Sequence, residues 1–556
     1  PDGGDNAGEV DGGLAESILA AEQAIARSAW RPDGLASPYK ARMYMLQGAR
    51  RIAGLIEVFH RLPVRSVAGL EDVSSHLIDE LASELDRCAG GVASYGRVLP
   101  EPGRIEQVKD RFTAAGHRRF TDDLAGGQEP DGLRSFAAWY FVLQQLSWGA
   151  SLASIHCRAM HNAPLEASVR SEQSTLVQTL VDGPSMAKWI RRARRNLSLR
   201  SVHLQNSLRL AAGLALARLA VGILGLQHGF WVGFATLVVL KTSAAGTRST
   251  AVQAAVGTAI GFAVSGVLIT TFGVDALIYS IVLPVVVFAA FYLPGAVSFV
   301  AGQAFFTMVI VVLFNLLKPA GWTVGLIRLE DVLVGAAIGL SIGVVIWPRG
   351  ASSELSRVVG RLFSTGGGYA QATVVRVLGL SPGSPGPGSA GPGTAGVKWW
   401  RDQVFVAAVD AEDVFSQYLS EPHQSDAPVL AWASLMATAH QLWFGSSVVG
   451  LVPEATGAAI RMPEVCDRLL SSSAALAQDY RRLAGSLGGQ DRWEMTEPLT
   501  VGGSIDRSLP DATITLLQLE AWLAELSVEI ARTHPALDEL GFGTGAVPAV
   551  PSPARR

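Results

Sequence analysis

The feature that most constrains this fold is a pair of long stretches without charged side chains. Residues 249–274 and 276–317 contain no Asp, Glu, Lys or Arg. Within a hydrocarbon layer about 30 Å thick the backbone must satisfy its own hydrogen bonds, and a helix of about 20 residues does so. The first stretch predicts one membrane-spanning helix. The second predicts two, because it is too long for one crossing.

Further apolar segments on either side extend this pattern. The Leu-Pro-Gly sequence at 293–295 marks the turn between the two helices of the second stretch. The predicted spans are residues 210–227, 229–240, 249–274, two helices within 276–317, and a last helix at 328–348. The sequence therefore predicts an integral membrane protein with a bundle of about six transmembrane helices at 205–348.

Basic residues on both flanks of this segment predict its orientation. They are Lys188, Arg191, Arg192, Arg194, Arg195 and Arg200 before the first span, and Arg349, Arg357 and Arg361 after the last. Cytoplasmic flanks of membrane helices retain Lys and Arg. We therefore expect a multi-pass protein of the plasma or inner membrane with both flanks in the cytoplasm. An even number of spans agrees with this, because it places both flanks on the same side.

The flanking regions are predicted to be helical and to face water. Residues 1–200 and 349–540 show helical patterns separated by Gly, Pro and Asp. The Pro- and Gly-rich residues 381–396 predict a disordered insertion, and residues 541–556 a disordered tail. The predicted architecture is all-α, with the membrane bundle between two helical cytoplasmic domains.

Two stretches in the flanks leave the number of spans open. Residues 136–157 and 429–452 also lack Asp, Glu, Lys and Arg. Both carry polar side chains, such as Gln145 and His440, that suit a helix buried in protein better than one in lipid. We predict that both are buried, and a seventh span is the alternative.

Several functional classes are disfavoured by composition and motifs. A net charge of -3 gives no general attraction to nucleic acid, and Cys88, Cys157 and Cys466 lack the spacing of a zinc site or a disulfide framework. The chain has no Walker A, HExxH or GxSxG motif. We predict neither an enzyme nor a cofactor or metal site. The start at Pro1, without a signal peptide, predicts a truncated or processed product.

Charged residues in the spans are candidates for a substrate path. Placing Arg218 in mid-helix costs about 2.5–3.5 kcal/mol on insertion scales, so it should face a wet cavity, an acid or an anion. A structural ion pair and a substrate contact are both open for it. Arg209, on the opposite side of the same helix, is predicted to be an interfacial anchor.

The start of the last span carries the second group of candidates. Arg328 and Asp331 can pair as i,i+3 neighbours, and Glu330 lies between them. Acidic residues also suit a helix N-terminus, whereas a proton-responsive carboxylate is the functional alternative. The short second span resembles segments that border transport sites, and it and the following loop add His228, Trp231, Lys241 and Arg248.

Glycines at four-residue spacing predict close helix packing. They are Gly257 and Gly261 in the third span, and Gly335, Gly339 and Gly343 in the last. Such spacing lets two backbones approach closely. The alternative is that membrane helices are simply rich in glycine.

Two segments resemble the fusaric acid resistance family of membrane transporters, which is related to bacterial aromatic acid exporters. Residues 207–267 contain SLRLA, HGFWVGFATLVVL and GTRSTAVQAAVGTAIG, and residues 328–348, RLEDVLVGAAIGLSIGVVIWP, look like the closing helix of that family. The resemblance covers the membrane segment, and it extends to the flanks only in architecture.

The resemblance implies proton-driven export of aromatic or amphipathic organic acids. Its motifs place Arg209, His228, Trp231, Arg248, Arg328 and Asp331 on the substrate path, whereas Arg218 rests on the physical argument alone. Such proteins commonly have two membrane blocks, so we expect either a missing N-terminal block or a homo-oligomer. An anion channel and a non-transporting envelope protein with partner-binding domains are the alternatives.

Overall fold

A computed structural model of the chain contains only helices as regular secondary structure over the residues that it describes. This confirms the all-α prediction for that part of the chain. The described residues are 16–18, 20–21, 37–64, 66–161, 163, 202–225, 229–240, 244–273, 276–317, 323–345, 351–380, 396–420, 427–489 and 505–542. The predicted insertion and tail lie outside them, apart from residues 396, 541 and 542.

The helices are numbered here in chain order. They are α1 (Ser37–Arg61), α2 (Glu71–Ala93), α3 (Pro102–Ala125), α4 (Pro130–Met160), α5 (Val202–Leu224), α6 (Gly229–Val239), α7 (Ala244–Phe272), α8 (Ala276–Ala296), α9 (Phe299–Leu317), α10 (Thr323–Val345), α11 (Ala351–Val377), α12 (Val397–Ser420), α13 (Ala427–Val449), α14 (Ala458–Arg461), α15 (Pro463–Leu487), α16 (Pro510–Ala531) and α17 (His534–Glu539).

The chain divides into two compact units. Pro1–Gly183, Ser356–Ser416 and Gln424–Arg556 form one, called the helical unit, and Pro184–Leu355 with Gln417–His423 form the other, called the membrane block. The sequence predicts two separate flanking domains, whereas both flanks contribute helices to the one helical unit. The individual boundaries at 1–200 and 349–540 stay predictions.

Long-range polar contacts explain why the two flanks form one unit. The Gln518 side chain on α16 donates a hydrogen bond to Gln144 on α4 at 3.0 Å. The Arg507 guanidinium donates to the backbone carbonyls of Gly127 and Gln128 at 3.2 and 2.9 Å. These partners are 374 to 380 positions apart in sequence, so no local sequence pattern predicts the contacts.

The helical unit has an aromatic core built around α4. Phe136, Trp139 and Tyr140 of this helix pack against Phe112 and Phe120 of α3. The uncharged residues 136–157 belong to α4, and most of 429–452 belong to α13, which buries Trp432 and Trp443. Neither is among the described helices that are long and apolar enough to cross a membrane. Both are buried in protein, as the sequence predicts.

The membrane block contains α5 to α10, and four of these helices are long and apolar enough to cross a membrane. They are α5, α7, α8 and α9. Helix α6 is apolar but has only 11 residues. Helix α10 carries Arg328, Glu330 and Asp331 in its first half. Four candidate spans are therefore found among the described residues, and a count of six stays a prediction.

Glycines of α7 lie directly against the backbone of α9. A Cβ atom on Gly257 would lie 2.6 Å from the Val300 carbonyl oxygen, and one on Gly261 would lie 2.3 Å from the Ala304 carbonyl oxygen. Real side chains do not approach that closely, so only glycine fits. The contacts advance in the same direction along both chains, and α7 and α9 are therefore parallel.

Glycines of α10 contact α6 and α7 in the same manner. A Cβ atom on Gly335 would lie 2.7 Å from the Val232 carbonyl oxygen, and Cβ atoms on Gly339 and Gly343 would lie 3.1 Å from Val239 and 3.0 Å from Thr247. Helices α6 and α10 are therefore parallel. This contact fixes which residues of α6 face the first turns of α10.

The close approach of α7 to α9 yields a stability prediction. Gly261→Ala should lower the free energy of unfolding by about 1–3 kcal/mol, because the added methyl group overpacks the contact with Ala304. The matched control is Gly266→Ala on the same helix, where nothing lies within 4 Å of an added Cβ. Unfolding by detergent titration of the purified protein measures both. An equal loss in the two variants would contradict the contact.

Candidate functional site

The candidate site is built around Arg328, in the second turn of α10. This arginine is 2% exposed, although most basic side chains among the described residues reach solvent. Its guanidinium carbon lies 4.6 Å from the ring centre of Trp231 on α6 and 5.6 Å from that of Phe306 on α9. Attraction between a cation and an aromatic face holds the guanidinium in place.

Three aromatic rings form a continuous cluster beside this arginine. Trp231 and Phe234 are one turn apart on α6, and their ring centres are 6.1 Å apart. Phe306 lies 6.4 Å from Trp231 and 6.0 Å from Phe234, with which it stacks. The cluster exists because α6 and α10 are parallel and α9 approaches their shared end. We call Arg328, Trp231, Phe234 and Phe306 the arginine–aromatic site.

The guanidinium of Arg328 has unused hydrogen-bonding capacity. Its Nε and Nη1 atoms are buried and have no hydrogen-bond partner among the described residues. Arg328 also makes no ion pair with any of them. An aromatic face attracts the charge but does not accept all five N–H donors of a guanidinium. Unsatisfied donors of a buried cation are costly, and an anion would satisfy them.

Asp331 is the acidic residue nearest in sequence on the same helix face. It is 1% exposed, and it interacts electrostatically with Arg328, one turn away. These two described residues do not form the predicted ion pair within 4 Å. The carboxylate therefore acts on the guanidinium charge at a distance and accepts no hydrogen bond from it. Glu330 is exposed and does not join the site.

Arg209 lies at the other end of α10. It is 2% exposed, and its Nη2 atom donates a hydrogen bond to the Gly343 carbonyl oxygen at 3.4 Å. Since Gly343 follows Arg328 by about 22 Å along the helix axis, at 1.5 Å per residue, the two arginines do not form one site. Arg209 satisfies a carbonyl in the last turn of α10, where a positive charge also suits the helix dipole.

The other predicted path residues are not brought together with Arg328. Arg218 and Arg248 are exposed on the membrane block. His228 and Lys241 lie outside the described residues. Of the nine predicted path residues, the structure places Trp231, Arg328 and Asp331 in one region. The five predicted packing glycines lie at helix contacts and touch no site residue of this cluster.

Sequence reasoning missed Phe234 and Phe306. Phe306 lies within the uncharged residues 276–317, where every position is compatible with lipid and no polar face marks the inward direction. The only available signal was the aromatic spacing Phe230, Trp231 and Phe234 on α6. Such spacing is also typical of an interfacial aromatic belt.

Fold and site together define a multi-pass helical membrane protein with a buried cation in the bundle. Residues 214–342 match the model of the family described as fusaric acid resistance protein-like. The similarity to that family lies within the membrane block. The matched segment contains α6 to α9, about half of α5 and the greater part of α10.

Two curated proteins of Escherichia coli (strain K12) are similar to this chain. Inner membrane protein YccS is 28% identical over 173 residues, which are 31% of this chain and 24% of that protein. The uncharacterized protein YhfK is 29% identical over 161 residues, which are 29% of this chain and 23% of that protein. The similarity therefore spans about a quarter of the length of each relative.

The contact of Arg209 with α10 predicts a structural role. Arg209→Ala should lower the free energy of unfolding by about 1–3 kcal/mol, because it leaves a buried carbonyl without its donor. Arg218→Ala on the same helix removes an exposed arginine and should change it by less than about 0.5 kcal/mol in detergent. Detergent-titration unfolding compares the two. Equal losses of unfolding free energy in the two variants would contradict a structural role specific to Arg209.

Proposed function

We propose that the protein exports aromatic or amphipathic organic acids across the membrane and that the arginine–aromatic site binds them. The single observation that supports this most strongly is a guanidinium with two unpartnered buried nitrogen atoms beside Trp231 and Phe306. A carboxylate can accept two parallel N–H donors from one guanidinium. The aromatic body of the same molecule would pack against the cluster.

The composition of the site favours this class of ligand. Charge-assisted hydrogen bonds shorten and strengthen in a dry environment, and aromatic pairs add about 0.5–1.5 kcal/mol beyond burial of area. An organic cation would be repelled by Arg328. A short aliphatic acid would satisfy the guanidinium but leave the ring contacts of Trp231 unused. The similarity of residues 214–342 to fusaric acid resistance proteins also supports this class of ligand.

The orientation of the block follows from helix direction and charge. Parallel contacts of α6 with α10 and of α7 with α9 agree with helices that alternate in direction along the chain. Basic residues lie before α5 and after α10. We therefore place both ends of the block in the cytoplasm. In that orientation Arg209 lies near the cytoplasmic side, and Arg328 lies toward the outside.

The exposure of Arg218 suggests that a second protein surface covers it within the membrane. It is exposed on α5, together with Leu219 and Ile223, which are 57% and 74% exposed. An arginine facing lipid in mid-helix costs about 2.5–3.5 kcal/mol on insertion scales. A second membrane surface with an acidic or polar group would remove that cost. We propose a homo-oligomer or a second membrane block as this partner.

The substrate assignment predicts the effect of Arg328→Gln. In cells that express the full-length protein, the variant should export labelled benzoate roughly tenfold or more slowly at limiting substrate, because a hydrogen bond to a charged group contributes about 1.5–3 kcal/mol. Trp231→Leu should affect benzoate more than hexanoate. Uptake and efflux of the two labelled acids are measured in matched cultures.

Arg248→Gln is the control for that experiment, because it removes an exposed arginine of the same membrane block. It should leave benzoate efflux within about twofold of the unchanged protein. Equal accumulation of labelled acids in cells with and without the protein, across a panel of substrates, would refute export. A normal efflux rate in Arg328→Gln would refute this site.

The coupling mechanism separates a transporter from an anion channel. A membrane potential of 100 mV changes the energy of one charge by about 2.3 kcal/mol, so an inside-negative potential alone drives anions outward through a channel. We propose proton coupling, with the Asp331 carboxylate beside Arg328 as the proton-binding group.

Proteoliposomes with the potential clamped to zero test this coupling. A proton gradient alone should then drive accumulation of labelled benzoate against its concentration gradient, and Asp331→Asn should abolish the accumulation while leaving downhill flux. Downhill flux that ignores the proton gradient in the unchanged protein would favour a channel. No flux at all would favour a non-transporting envelope protein that acts through its helical unit.

A further inference from the structure

A cavity in the helical unit has the properties of a second ligand site. It lies between the C-terminal end of α1, the first turns of α4 and one face of α16, and its volume is about 470 Å³. Its walls include Phe141, Val142, Leu517, Ala521 and Ala524. Sites for small organic molecules have volumes of about 300–1,000 Å³ and are mostly apolar with a few polar groups.

The arginines at this cavity already have acidic partners. Arg532 forms ion pairs with Glu529 at 2.6 Å and with Glu57 at 3.1 Å. Arg61 also pairs with Glu57. Arg134 pairs with Asp131 at 3.0 Å and lies 3.9 Å from Glu520. The positive charges are thus compensated, and an incoming anion would have to compete with carboxylates that are already bound.

Glu525 differs from the other charged groups of the cavity. It lines the cavity one turn after Ala521, and it has no hydrogen bond and no ion pair with any described residue. Burial raises the pKa of its carboxyl to about 7, although the charge of Arg51 opposes this effect. A carboxyl group with a perturbed pKa in a cleft is a candidate functional group.

We propose that this cavity binds an amphipathic organic amine, with its apolar body between Phe141 and Ala524 and its ammonium group at Glu525. The ammonium group supplies the hydrogen-bond donors that this carboxylate lacks among the described residues, together with a directly paired positive charge. An organic acid of the same shape would meet Glu525 and Glu529 instead, and like charges repel. This ligand is opposite in charge to the one proposed for Arg328, so the two proposals can be tested separately with different probes.

Binding should depend on pH with a defined sign. The ammonium group binds the ionised carboxylate, so affinity should be full above the pKa of Glu525 and fall as the pH drops below it. The charged groups around Glu525 are Arg51 and Arg61 of α1, Arg134 of α4, Glu520 and Glu529 of α16, and Arg532 directly after it. Glu525 is the one among them whose carboxyl has a pKa raised to about 7 without an ion pair.

Calorimetry on the purified full-length chain tests the proposal with phenethylamine and phenylacetate, which share an aromatic body and differ in charge. Phenethylamine should bind saturably at pH 8 and roughly 30-fold more weakly at pH 5.5, since it stays protonated while Glu525 does not stay ionised. Phenylacetate should bind at least tenfold more weakly at pH 8. Equal binding of the two probes, or no saturable binding of phenethylamine, would overturn the proposal.

Two matched variants locate the binding. Glu525→Gln should weaken phenethylamine binding at pH 8 at least tenfold and abolish its pH dependence. Asp511→Asn, at an exposed position of the same helix outside the cavity, should preserve both. Ala524→Phe fills the cavity and should also abolish binding, which covers the case in which Glu525→Gln fails to fold. Binding in Glu525→Gln equal to that of the unchanged protein would refute this site.

Arg328→Gln separates this proposal from the transport proposal. It should slow benzoate export roughly tenfold or more and leave phenethylamine binding unchanged. Loss of both in this variant would indicate that phenethylamine binds in the membrane block, and the cavity would then have no assigned ligand. Loss of neither would refute the transport site alone.

Discussion

The rest of the membrane block depends on the need to satisfy backbone hydrogen bonds where there is no water. That requirement makes each segment helical, and helices whose backbones are internally satisfied gain little from one another except close packing. Gly257, Gly261 and Gly335 provide this packing by bringing neighbouring backbones within a distance that no side chain permits. The parallel contact of α6 with α10 then places Trp231 over Arg328. A packing requirement thus creates a polar site in an apolar bundle.

Whether a charged side chain can bind a ligand depends on its neighbours, as the arginines and glutamates of the two units show. Arg328 is buried against rings that attract its charge, and its Nε and Nη1 have no acceptor among the described residues. Arg532 has two carboxylate partners and little capacity left for a ligand. Glu525 is the converse of Arg328, because it is a carboxyl group in a largely apolar wall that makes no direct ion pair with any described residue. In both units the group without a partner, and not the number of charges, identifies the candidate site.

The sequence predicts local features of this protein well and distant ones poorly. The absence of charge in 249–274 and 276–317 predicts α7, α8 and α9 to within a few residues, because hydrocarbon excludes charge wherever a chain crosses it. Nothing local predicts that Gln144 meets Gln518, so the two flanks appear as separate domains. Phe306 was missed because a uniformly apolar run carries no inward-facing stripe. Arg328 was found because a charge at the edge of such a run is conspicuous.

The 11 residues of α6 have an electrical consequence. At 1.5 Å per residue the helix extends about 16 Å, roughly half of a hydrocarbon layer of about 30 Å. With α6 as one of the proposed spans, the insulating layer beside so short an element would be thin, and the transmembrane voltage would fall over a correspondingly short distance. The field there would be steeper than across the surrounding lipid. In the orientation proposed above, a charge bound at Arg328, at the end that α6 shares with α10, would lie at one edge of this steep field, so most of its electrical work would be done on the way to the site.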